Sequence, residues 1–353
     1  MPAFVPGSEL SRLFFLEVVQ PDLEAAFPGV PYAAGLLGSG SEVLGFDTEM
    51  STDHEWGPRV DIYVGDDASG DLTSAIRAAM DQTIPEMFHG WPTRFVAAQD
   101  GQTPIPAISV SSPAAFLESY LGLDTPRSIA PADWLTLPTQ KLRTIASGPI
   151  HHDAIGLTEL RAVFAWYPHD VWLYLLAAGW TRVAQEEHLM GRAGHAGDDI
   201  GSALIAGRLV RDLMRLAFLM EREYAPYPKW FGTAFRQLAC APALSPHLSG
   251  VLRASTWTER QAHLIPAYEA VAAMHNTLAL TPPLLTSVRP FFSRPFASIA
   301  QNGFAESLVD AITDPRVRQL TERPIIGSID LISDNTDLLE QPTWRARLRT
   351  LYD

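Results

Sequence analysis

Apolar positions in residues 8–27 fall at Leu10, Leu13, Phe14, Val18, Leu23 and Phe27, close to helical spacing, and predict a helix interrupted or ended near Pro21. The short apolar run 33–37 leads into Gly38-Ser39-Gly40-Ser41 and reads as a strand-like segment ending in a loop. Arg59–Val64 alternates and is rich in β-branched and aromatic residues, which predicts a second strand stopped by Gly65. Leu72, Ile76, Met80, Ile84 and Met87 place a helix over 71–89, with its last turn disturbed by Pro85. Further strands are predicted at 93–97 and 105–110, and a helix over 113–121 starting after Ser112.

Beyond about residue 130 the period becomes helical. The spacing predicts helices over 159–166, 169–190, 199–223, 257–278 and 303–313, with Ile205, Leu209, Leu213, Leu216 and Met220 forming an apolar stripe on the third. The chain therefore reads as α+β: a small mixed sheet with flanking helices in residues 1–125, and a mostly α-helical bundle in 126–353.

Composition narrows the class. At 353 residues, 47% of them hydrophobic, the chain has the material for a large core. A formal net charge of −14 disfavours general nucleic-acid binding, which needs a basic face; a local basic groove is still open around clusters such as Arg208, Arg211 and Arg215. The single cysteine, Cys240, excludes an intrachain disulfide and a multi-cysteine metal site, and fits the cytoplasm. No stretch reaches the roughly 18 apolar residues of a membrane span, and the N-terminus lacks an export pattern.

The informative segment is 36–64. Gly40-Ser41 is followed, after eleven intervening residues, by Asp53-His54-Glu55. An apolar residue, Gly-Ser, roughly ten residues and then Asp-x-Asp or Asp-x-Glu at the start of a strand resembles the signature of the polymerase-beta-type nucleotidyltransferase superfamily. The wider string, GSGSE, LGFD and DHEWGPR, is similar to a bacterial domain-of-unknown-function branch of that superfamily. The order of a catalytic domain followed by a helical one is similar to aminoglycoside (kanamycin) nucleotidyltransferases.

The resemblance implies a nucleotidyltransferase-type sheet that binds magnesium and a nucleoside triphosphate. On a strand, Asp53 and Glu55 would point to one face and share one divalent cation or straddle two. Gly40 would let the backbone approach a phosphate, and the Ser41 hydroxyl and nearby N–H groups would hold its oxygens; Gly38-Ser39 is the alternative register. Active members carry a third carboxylate on a neighbouring strand. Asp61 is the candidate for it, as a metal ligand or a surface residue, while Asp47 and Glu49 suit turn formation.

In the helical part, Glu187 or Glu186 is the candidate general base for an acceptor hydroxyl, set against helix-end solvation with an Asp cap near 199. Lys229, between Tyr227 and Trp230, is the candidate cation for triphosphate oxygens, set against a packed aromatic turn. His151-His152-Asp153, and His188 with His195, lack a third ligand at a spacing suited to zinc.

The function expected is transfer of a nucleoside monophosphate, AMP from ATP first, to a hydroxyl of a small molecule or protein. A cationic acceptor such as an aminoglycoside suits the acidic chain. The alternatives are a catalytically inactive nucleotide-binding or interaction module, and a toxin-type enzyme acting on RNA or protein.

Overall fold

The computed structural model describes residues 2–53, 56–67, 70–96, 104–123 and 129–353. The chain divides into two compact units, one of residues 1–129 and 141–165, the other of 130–140 and 166–353. The division expected at 125/126 thus differs from the observed one, because residues 141–165 return to the first unit.

The first unit is built on a four-stranded sheet, β1 (Tyr32–Gly35), β2 (Val60–Val64), β3 (Ile108–Ser111) and β4 (Ile150–Asp153), in the spatial order β3-β2-β1-β4. β1 runs antiparallel to β2 and β4, and β2 parallel to β3, so the sheet is mixed and the fold is α+β. Register follows from side-chain alternation. Val60, Ile62 and Val64 join the larger core with Leu10, Phe14 and Ile76, while Tyr63 turns to the opposite face with Ala33, Leu37 and Leu157.

Helices close both faces. On one side lie α1 (Gly7–Phe14), a π-turn over Phe15–Val19, α2 (Gln20–Ala26) and α3 (Gly70–Thr83). The expected break at Pro21 does not occur: the helical backbone runs on from α1 into α2, and the π-turn, closed by Gln20 N–H donating to Phe15 O, widens the helix immediately before the proline. On the other side lie α4 (Pro113–Leu121), whose Ser112 hydroxyl accepts from Ala115 N–H as an N-cap, and later α7 (Leu157–Ala162). In chain order between them come α5 (Pro131–Trp134), which belongs to the second unit, and α6 (Thr139–Ser147), which from Lys141 on belongs to the first.

The second unit is helical. Its long members are α8 (His169–His195), α9 (Asp199–Met220), α10 (Pro228–Phe235), α11 (Ala241–Arg253) and α12 (Trp257–Thr277), followed by α13 (Phe304–Ala311), α14 (Pro315–Leu320) and α15 (Ile329–Ile332). Gly179 lets α8 and α9 approach, since a Cβ there would sit 2.6 Å from the Leu216 side chain. Trp180 stacks on Phe304 at 4.3 Å and donates to His275 Nδ1 at 3.3 Å. A short hairpin, β5 (Arg289–Pro290) with β6 (Ala297–Ser298), precedes α13. No helix among the described residues is long and apolar enough to cross a membrane.

Asp153 anchors the return of the chain from β4. Its Oδ1 accepts from Ile155, Gly156 and Leu157 N–H, and Oδ2 from Thr158 N–H at 2.7 Å. Burial pushes its pKa up, but the hydrogen bonds outweigh this and hold the carboxyl at about 2. Asp153→Ala should lower stability by about 1–2 kcal/mol in urea denaturation followed by circular dichroism, with Asp153→Asn recovering most of the loss. The charge contribution of Asp153 is present above its unfolded pKa of 3.8 and is lost as pH falls through about 2.

His151 and His275 set a second window. Burial lowers both to about 4 from 6.5, so the unfolded chain binds protons that the folded chain refuses between those values. Stability should therefore fall as pH drops from 6.5 through 4, and His275→Gln should flatten that slope in thermal melts taken across the range.

Candidate functional site

The Gly-Ser segment leaves the sheet at the end of β1, and the exit is tightly specified. Leu36 N–H donates to Pro149 O at 2.9 Å, and Leu37 N–H to Asp61 Oδ2 at 2.9 Å. Asp61 lies on β2 directly opposite Gly35, and its Oδ1 accepts from the Ser109 hydroxyl on β3 at 2.5 Å. One carboxylate thus ties together β1, β2 and β3. Burial raises its pKa, offset by the nearby Arg59 and by these two hydrogen bonds.

The loop itself needs glycine at two places. Gly38 has φ +85° and Gly40 φ +151°, and a Cβ on Gly40 would meet the Glu42 carboxylate at 2.5 Å. Glu42 is buried and ion-paired with Arg59, whose guanidinium also donates to Ser39 O at 3.0 Å. Ser39 Oγ lies 3.4 Å from Tyr120 Oη on α4, and that phenol hydrogen-bonds Thr144 Oγ1 at 2.7 Å. Buried Lys141 donates to Tyr120 O at 2.8 Å and lies over the Tyr120 ring at 4.6 Å. The wall of the loop is therefore Arg59, Glu42, Tyr120 and Lys141; Glu42 and Arg59 close the GSGSE and DHEWGPR strings, whereas no motif points to Tyr120 or Lys141. Arg59 stands in the sequence as the last residue of DHEWGPR, just before β2; Lys141 is brought in by α6, which no local pattern connects to residue 40.

The acidic part of the motif departs from expectation. Asp53 is not on a strand: it ends a 3-10 turn over Glu49–Asp53 and is exposed, and β2 begins only at Val60. Gly57 and Pro58 separate the turn from the strand, so the geometry in which alternation aims Asp53 and its partner at one face does not apply. Glu55 lies outside the described residues. Asp47 does more than shape a turn, since its Oδ2 accepts from Gly7 N–H at 2.7 Å and Trp56 Nε1–H at 3.0 Å, fastening the segment to the start of α1.

These placements test the metal assignment. Among the described residues, no three His, Cys, Asp or Glu side chains gather as a metal-ligand set. Exposed Asp53 suits an oxygen ligand. Asp61 accepts one hydrogen bond on each oxygen, from Leu37 N–H and from the Ser109 hydroxyl, and these shape the loop while leaving each oxygen a second acceptor site.

Within the second unit, Glu187 has a structural task in place of the expected general-base role. It is 4% exposed and accepts from the Ser298 hydroxyl, from Ile299 N–H at 2.8 Å and from Ala300 N–H at 3.4 Å, which joins α8 to the hairpin. Burial raises its pKa, with these donors opposing. Glu186 is paired with Arg208 at 2.7 Å and Arg182 at 3.4 Å. Asp198 caps α9 through Gly201 N–H at 2.8 Å, as the solvation reading supposed. Lys229 is exposed in the first turn of α10, its Nζ 5.0 Å from the Trp230 ring centre. The histidines have aromatic or hydroxyl neighbours: His151 Nε2 meets Ser11 Oγ at 2.9 Å, His152 stacks on Tyr32, His188 stacks on Phe291, and His195 lies edge-on to Trp257.

A family model described as Domain of unknown function (DUF4037) matches residues 134–231, a stretch running from α5 through α9 into α10 and not including the Gly-Ser loop. Among solved structures, the chain is similar to a nucleotidyltransferase-like protein from Exiguobacterium sibiricum 255-15, with 10% identity over 77% of this chain and 78% of that one and a TM-score of 0.34. No curated protein matches the chain.

Proposed function

We propose that the first unit binds a nucleoside triphosphate against the loop Gly38–Ser41 and transfers its nucleoside monophosphate, AMP from ATP in the first instance, to a hydroxyl of a small molecule or protein. The observation that carries this reading is the loop exit: a Gly-Ser-Gly-Ser segment with two unusual glycine conformations, held at the end of β1 by Asp61 and Arg59. Such a segment can bring backbone N–H groups and the Ser39 and Ser41 hydroxyls close to phosphate oxygens, since no Cβ intervenes at Gly38 or Gly40.

Asp53 and Glu55 are the residues assigned to a magnesium ion, which when bound neutralises charge on the triphosphate. Asp61 acts through the loop as a positioning residue. Lys229, on α10 of the second unit, is exposed beside Trp230 and takes no part in the Gly-Ser loop. A second reading, an inactive nucleotide-binding or interaction module, is favoured by one observation: Asp53 ends a 3-10 turn and does not lie on the strand that the motif implies.

Calorimetric titration of ATP, GTP, CTP and UTP, with and without magnesium, tests the reading. Wild type should bind one triphosphate in a magnesium-dependent way, and the double variant Asp53→Asn/Glu55→Gln should lose at least about tenfold in affinity, about 1.4 kcal/mol. Absence of binding for all four triphosphates would sink the proposal. Binding without turnover of any acceptor would favour the inactive module.

The role of Asp61 makes a separable prediction. Asn at this position can still accept from Leu37 N–H, while its NH₂ group donates to the Ser109 hydroxyl, which can reverse its role. Asp61→Asn should therefore keep triphosphate affinity within about threefold, whereas Asp61→Ala strands a backbone donor and should weaken binding by about 1–3 kcal/mol. If Asp61→Asn abolishes magnesium dependence, the residue is a metal ligand after all.

A further inference from the structure

The second unit contains a cavity of about 330 Å³ that nothing in the nucleotidyl-transfer reading uses. That volume is at the lower end of small-molecule pockets. Five aromatic side chains line it, Trp166, Tyr167, Phe218, Tyr224 and Phe231. Trp166 tilts against Tyr224 with ring centres 4.8 Å apart, and Tyr167 meets Tyr224 edge-on at 5.1 Å. Rings held this way resist collapse and offer both faces and edges to a flat guest.

The cavity is polar on another part of its lining. Arg211, Arg215 and Phe218 lie three and four residues apart on α9, so one stripe of that helix carries two guanidiniums and then an aromatic ring, all lining the cavity. Both arginines turn to one carboxylate. Asp334, just beyond α15, pairs with Arg211 and lies 3.6 Å from Arg215 Nη2, and its side chain is 60% exposed. Arg215 also donates to Asp330 O and is sunk deeply enough that burial lowers its pKa. Arg211 Nε is buried with no hydrogen-bond partner, although Asp212 lies 3.9 Å away. The cluster Arg208, Arg211 and Arg215 is therefore no basic groove: Arg208 is paired with Glu186, and the other two face this cavity.

We propose that this cavity binds a small planar aromatic carboxylate, with the ring against Trp166, Tyr224 and Phe218 and the carboxylate on Arg211 and Arg215 in place of Asp334. The choice of anion follows from what is already there. Two guanidiniums converge on a single exposed carboxylate tethered at the end of a four-residue helix, and a ligand carboxylate can make the same forked contacts. The flat guest follows from the aromatic lining. The site is built from the second unit alone and does not depend on the nucleotide reading.

The test is calorimetry on the full chain with 2-naphthoate, and with 2-naphthamide, 2-naphthylmethylammonium and 2-naphthyl phosphate as neutral, cationic and phosphate counterparts. 2-Naphthoate should bind at least about tenfold more tightly than the amide or the cation. Arg211→Gln should remove that preference without changing affinity for the amide. Asp334→Asn, at an exposed position where folding is undisturbed, should tighten 2-naphthoate by roughly threefold or more because the competing carboxylate is gone. If Arg211→Gln fails to fold by circular dichroism, the Asp334→Asn result decides. Equal binding of the amide or cation, no binding of any probe, or unchanged or weaker 2-naphthoate binding to Asp334→Asn would overturn the proposal. Preference for the phosphate would overturn the carboxylate assignment.

Discussion

The Asp61 carboxylate accepting Leu37 N–H is the contact on which the first unit's site depends. A strand that ends in mid-sheet must satisfy its departing backbone groups, and a buried donor left without a partner costs about 1–3 kcal/mol. β1 meets this on both sides, with Pro149 O taking Leu36 N–H and Asp61 taking Leu37 N–H. The same carboxylate receives Ser109 from β3, so the sheet's parallel and antiparallel pairings are joined at the point where the loop departs. Arg59, two residues earlier, then holds Ser39 O and Glu42. Two residues at the start of one strand, Arg59 and Asp61, thus fix where the Gly-Ser loop begins and how far it strays.

What the sequence revealed, and what it hid, divides along the reach of the interactions involved. The strand at 60–64 and the helix capped by Ser112 were legible because alternation, helical spacing and a cap are properties of adjacent residues. β4 was hidden: Ile150-His151-His152-Asp153 has little of a strand's composition and takes its form from pairing with β1, more than a hundred residues away in the chain. Asp53 was misplaced for the converse reason. A motif's spacing was taken to carry its usual strand, whereas Gly57 and Pro58 delay the strand to Val60 and leave a 3-10 turn before it.

Acidic residues of the second unit show the same limit. Glu187 reads as an exposed helix-end carboxylate, yet it is buried, because a hairpin a hundred residues later presents Ser298 and two backbone N–H groups that need an acceptor. A buried carboxylate with donors of this kind joins elements together, and that bond is invisible until the elements are placed. Asp212 and Asp334 belong likewise to arginines on α8 and α9, and a cluster that looked basic in sequence becomes a set of mostly compensated pairs.

The Glu42–Arg59 pair shows how closely the geometry of the loop is held. Placing a charge pair where an apolar pair would fit is a poor route to stability, because desolvation of the two ions offsets most of their attraction. Glu42 is nevertheless 2% exposed, beneath a loop whose Gly40 leaves no room for a Cβ beside it. An apolar side chain at position 42 would pack against Gly7 and Trp56 as readily, but it would give up the hold on Arg59 and, through it, on Ser39 O. The arrangement therefore favours loop geometry over packing. A loop meeting phosphate oxygens would depend on that geometry in an active or an inactive nucleotide-binding protein alike, whereas a module that binds no nucleotide would not.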